Sequence, residues 1–162
     1  MLDEPEILKP GEAALFIDQP VEFRTVFHSS ELFRKITPVL VTASMAETVL
    51  VREKDGSYRI DGYAVGGNAH LCSVGGEKLQ YDAKSGWFTG PSDESPTRRA
   101  AVFRWFNDRI EFPGNGHPDE EFPGSDQYAS CGMRAILSPM TRIAVSPALL
   151  AKRRAYYESD ER

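Results

Sequence analysis

The stretch GYAVGGNAHLCSV, Gly62 to Val74, carries Asn68, His70 and Cys72 at alternate positions behind a Gly-Gly break. Residues two apart on an extended strand face the same way, so an amide, an imidazole and a thiol would stand in a row. Such a row suits a metal ligand set or an activated thiol, and it equally suits a polar stripe beside a disulfide. The only other cysteine is Cys131, in the strand-like segment YASCGMRA. A bridge between Cys72 and Cys131 would close a loop of about 60 residues and, in the chain-entropy account, stabilise by roughly 4 kcal/mol. Two buried free thiols in a cytosolic protein are the competing reading. A zinc site of His70, Cys72 and Cys131 lacks a fourth ligand, because no CxxC, HxH or HExxH spacing occurs in the chain. No metal or other cofactor is expected.

Nucleophilic and acid–base chemistry find little support in the residue pattern. Gly-x-Ser-x-Gly is absent, and the three histidines, His28, His70 and His117, lie in unrelated segments. A thiol enzyme using Asn68, His70 and Cys72 would need a reduced, exposed cysteine. The carboxylate groups Asp93/Glu94 and Asp119/Glu120/Glu121 fall in polar loops, where nothing apolar would raise the pKa of a general acid. The glycines flank strands rather than open helices, which removes a phosphate-binding loop. No catalytic residue is expected, and the chemistry left over is that of a surface.

The elements that must carry this surface read as β. The chain of 162 residues is long enough for one domain with its own core, and its 41% hydrophobic and 27% charged residues are those of an ordinary globular protein. Mean hydropathy is −0.40, and no apolar run approaches the length of a bilayer span. With 19 Lys and Arg against 24 Asp and Glu, and basic residues scattered as Arg98-Arg99 and Lys152-Arg153-Arg154, nucleic acid is not an expected ligand. Turn residues mark three hairpins, at Asp55-Gly56, Gly75-Gly76 and Asn107-Asp108. Seven to nine short strands predict an antiparallel meander, closed as a barrel or folded as a sandwich. Residues 1–35 read as an added N-terminal layer with strands AALFI and VEFRTVF and a short helix. Residues 36–145 read as the β core. Ser146 as N-cap and Pro147 at the first helical position open a C-terminal helix within 146–162, with Leu149, Leu150, Arg153 and Tyr156 as one face.

Two loops remain as candidates for recognition. SGWFTG places Trp87 beside Phe88 after Ser85-Gly86, so one ring must point away from whatever the other packs on. FPGNGHPDEEFPGSDQ, residues 112–127, repeats Phe-Pro-Gly and holds His117, Asp119, Glu120 and Glu121. A loop of that length is either functional or mobile. Thr89 to Ala100 reads as a plain solvated connection.

GNAHLCSVGGEKLQYD, RIEF and YASCGMRA together resemble the small periplasmic β-barrel proteins of Gram-negative bacteria related to lysozyme inhibitors. The likeness spans Asp61 to Leu137. It implies a Cys72–Cys131 bridge and a periplasmic or lipoprotein address. Of that family's Ser-Gly-x-x-Tyr contact loop, Ser85 and Gly86 match, and the tyrosine does not. The N-terminal sequence lacks the cationic and apolar regions of a secretory signal. The expectation is a periplasmic or secreted, non-enzymatic binding protein, an inhibitor or immunity-type partner of a cell-wall hydrolase. Ser85, Gly86, Trp87, Phe88, His117, Asp119, Glu120 and Glu121 are its expected contacts. A cytosolic ligand-binding barrel or thiol enzyme, and a structural component of an envelope or phage assembly, are the alternatives.

Overall fold

The computed structural model describes residues 1–18, 46–66, 70–117, 119–133 and 135–159. Among these residues nine strands and one α-helix follow in order: β1 (Ala13–Ile17), β2 (Ala46–Arg52), β3 (Tyr58–Val65), β4 (Leu71–Asp82), β5 (Trp87–Ser92), β6 (Ser95–Phe106), β7 (Arg109–Glu111), β8 (Ala129–Cys131), β9 (Met140–Ile143) and α1 (Pro147–Glu158). Strands β1 to β7 form a meander, each antiparallel to the next. Strand β9 then lies between β7 and β1, so with the β3–β4 pairing eight strands close into a barrel. Strand β8 stands outside that ring, paired with the first part of β4, whose last part pairs with β5.

The expected mainly antiparallel β fold with a C-terminal helix is the observed one, and closure decides for a barrel. The Asp55-Gly56 hairpin joins β2 to β3, with Gly56 at φ +91° and Ser57 N–H and Oγ–H both donating to Asp55 Oδ1. Asn107 and Asp108 both take positive φ in the two-residue turn between β6 and β7.

Gly75-Gly76 is not a turn. Strand β4 runs through it for 12 residues, and between the pairs Ile60↔Gly76 and Tyr58↔Leu79 it carries one residue more than β3, with Lys78 at φ +55°. The extra residue is a bulge. The missing Cβ serves a close approach instead, for a Cβ at Gly76 would lie 2.8 Å from the Tyr128 ring. The solvated connection expected over Thr89 to Ala100 is likewise a hairpin, with β5 and β6 paired from Phe88↔Phe103 to Ser92↔Ser95. AALFI is β1, an integral barrel strand rather than an added layer. The expected strand VEFRTVF, the short helix expected after it and His28 lie outside the described residues.

The barrel axis is filled. Phe88 and Phe103 stack with centroids 4.5 Å apart, and Tyr58 meets both rings edge-on. Phe16, Leu50, Ile60, Leu79 and Ile110 complete this interior with no exposed surface. A second, smaller cluster lies outside the wall, where α1 covers Leu15, Val49 and Val51. Two covered faces explain why ALFI and TVLV read as continuous apolar runs instead of alternating ones.

Candidate functional site

The Asn68, His70, Cys72 row is not a site among the described residues. Asn68 lies outside them. His70 precedes β4, where its carbonyl accepts the Gly66 N–H at 2.8 Å, and its ring lies against Gly132. Cys72 is buried and bonded to Cys131, its register partner on β8, so neither residue offers a thiol and the thiol-enzyme reading is corrected. No group of three or more His, Cys, Asp or Glu among the described residues is arranged to hold a metal ion.

The two candidate loops meet. The Asp82–Trp87 turn is built by Ser85, whose hydroxyl donates to Asp82 Oδ2 at 2.7 Å, and by Gly86, at φ +79° with its N–H on the Asp82 carbonyl. The Ser85 hydrogen bond is the main reason the Asp82 carboxyl is held below the usual carboxylate range. Strand alternation then sends Phe88 into the barrel interior and Trp87 to the outer wall. Phe88 is fully buried and leaves no surface for a partner, which corrects its assignment as a contact. Trp87 is only 8% exposed, because Phe122 lies edge-on against its ring at 5.0 Å and the Arg104 guanidinium sits 4.9 Å from its centroid.

Phe122 belongs to a strap, residues 112–128, that leaves β7, crosses the outside of the barrel and returns into β8. Each end is fixed by a glycine that only a missing side chain permits. At its root Gly116, at φ +86°, lies against the disulfide, where a Cβ would come within 2.5 Å of Cys131 Sγ. Beside it the half-buried His117 ring donates Nε2–H to the Ala135 carbonyl at 2.6 Å, which pins this end of the strap. At the far end the Tyr128 ring packs against Gly76 and Gly90, and its hydroxyl donates to the Pro91 carbonyl. Gln127 ties the same end to the β5–β6 turn, accepting the Asp93 N–H at 2.8 Å and donating to the Pro91 carbonyl at 3.1 Å.

Between strap and wall lies a groove of about 410 Å³ lined by Asp82, Ser85, Trp87, Thr89, Arg99 and Glu121, with Phe122 over its edge. Ser85, Trp87 and Glu121, expected as contacts from two separate loops, share this groove. Asp119 accepts the Glu121 N–H in a local turn, and Asp119 and Glu120 are exposed beside the groove. With Asp93, Glu94 and Asp126, also exposed on the segments tied by Gln127, they make an acidic rim interrupted by Arg98 and Arg99. Arg99 was not singled out from the sequence. Its Nε donates to Thr89 Oγ1 at 2.9 Å and its Nη2 to the Thr89 carbonyl at 2.8 Å.

A second feature was equally hidden. Glu47, fully buried on β2, accepts at Oε1 from Arg153 Nε at 2.9 Å and from the Tyr157 hydroxyl at 2.8 Å, and burial pushes the Tyr157 phenol up. Tyr157, not Tyr156, is the buried ring of α1, and an apolar groove of about 620 Å³ runs beside it past Tyr63, Val65 and Leu71.

No protein-family model matches the chain, and neither a curated protein nor a solved structure matches it. Nothing in these comparisons links it to lysozyme inhibitors or to an enzyme family. The disulfide fits an extracellular location. No helix of the described residues is long and apolar enough to cross a membrane.

Proposed function

We propose that this protein is a non-enzymatic binding protein of an oxidising compartment, whose strap face occludes a cell-wall hydrolase. The observation that carries this reading is the convergence of Ser85, Trp87 and Glu121 in one groove bordered by an acidic rim. An interior packed with Phe88, Phe103 and Tyr58 directs recognition to the outside, where a barrel with a ligand cavity would use its mouth. The rim supplies charge complementarity to a basic enzyme surface, which favours encounter and orientation. The Cys72–Cys131 bridge supports periplasmic or secreted residence, since such bonds persist where thiols are not kept reduced.

The test is inhibition of a panel of purified basic muramidases and amidases by the full chain, with binding followed by surface plasmon resonance. Nanomolar to micromolar binding to at least one enzyme, with loss of lytic activity, is expected. Glu120→Lys combined with Glu121→Lys should weaken it at least about tenfold, mainly through the association rate. If no hydrolase binds, or the charge reversal changes nothing, the reading fails.

A further inference from the structure

We infer that the groove between the Asp82–Trp87 turn and the strap receives one arginine side chain from a protein partner. The inference rests on the reading of this face as a protein-binding surface and adds the chemistry that the groove selects. Its volume of about 410 Å³ accommodates a guanidinium and its stem. Asp82 brings a carboxylate already oriented by the Ser85 hydroxyl and by the Lys84 N–H, and Glu121 brings a second from the strap. Neither carboxylate has an ion-pair partner among the described residues.

The groove's own cation does not fill this role. Arg99 is folded onto Thr89 through two hydrogen bonds, one side-chain step or about 7 Å along β5 from Trp87. The groove thus has an anionic end at Trp87 and a cationic end at Thr89. An arginine entering at the anionic end would meet two carboxylates and the Phe122 ring. The Trp87 ring already holds one guanidinium, that of Arg104. A planar fork of donors serves two separated carboxylates better than the point charge of a lysine.

The test is an NMR titration of the full chain, followed at the Trp87 indole N–H, whose cross-peak is assigned from Trp87→Phe. The probes are Nα-acetyl-argininamide and its neutral isostere Nα-acetyl-citrullinamide. A saturable shift in the millimolar range is expected for arginine, with citrulline about fivefold weaker. Asp82→Asn and Glu121→Gln should each reduce arginine to the citrulline level while the spectrum stays dispersed. Absence of a saturable shift, or equal binding of the two probes, overturns the inference. The outcomes separate it from the reading above: arginine binding without any hydrolase partner keeps the groove and removes the hydrolase, and hydrolase inhibition without arginine binding does the reverse.

Discussion

Glu47 concentrates three donors on one carboxylate oxygen, while its Oε2, equally buried, has no hydrogen-bond partner among the described residues. Removing the cation alone would strand a desolvated charge, whereas removing the whole pair would leave a hole that apolar side chains can fill. Arg153→Met is therefore expected to lower the urea-unfolding free energy by about 3 kcal/mol, and the double variant with Glu47→Leu to recover most of that loss. At the solvent-facing extreme, Asp55 shows what local geometry does without burial. Hydrogen bonds from Ser57 Oγ and N–H, with a smaller one from Lys78, lower its pKa to about 2. Because the folded value lies below the unfolded one, this contribution is present above the ordinary carboxylate range and fades as pH falls toward 2. Titration of the Asp55 carboxyl carbon by NMR should find that midpoint, and Ser57→Ala should raise it.

Among the elements, the strap depends on two clamps at opposite ends of its path. Its root is held at the disulfide, which joins residues 59 apart in sequence. Replacing both Cys72 and Cys131 by Ser should cost up to roughly 4 kcal/mol, read as a lower melting temperature. The other clamp is the Tyr128 slot. A Cβ at Gly90 would lie 2.4 Å from the Tyr128 hydroxyl oxygen, so Gly90→Ala must displace that ring. Phe122 should then lift from Trp87, and in a Trp105→Phe background the fluorescence of Trp87 should shift to longer wavelength. Glycine is where the sequence misled. Asp55-Gly56 and Gly75-Gly76 look alike as punctuation, but only the first has a glycine at positive φ, and Gly76 is small because the Tyr128 ring arrives from the strap, far along the chain. The Asp55-Gly56 and Asn107-Asp108 hairpins, the capped helix and the Cys72–Cys131 pair were legible because their signals are local, or few enough to enumerate. The groove was only half legible. Ser85, Trp87 and Glu121 could be named from loop composition, whereas Arg99 and the His117 hydrogen bond follow from packing.

For the whole molecule, the acidic rim predicts that association with a basic partner slows as salt rises. Between about 50 and 500 mM salt the association rate should fall at least tenfold while dissociation changes little, since screening acts on encounter more than on the formed contact. An antiparallel barrel or sandwich was readable from turn spacing, but the closure that decides between them was not. MTRI carries no strand signal stronger than its neighbours, yet β9 is the stave that joins β7 to β1. Its position has a consequence for how the protein is made. A chain emerging N-terminus first completes the meander early, yet β1 and β7 keep an open edge each until residues 140–143 arrive. Closure thus waits for residues 140–143. Until then the nascent chain has exposed strand edges and few local routes to a finished core, a state suited to capture by chaperones and to passage through a narrow channel before folding.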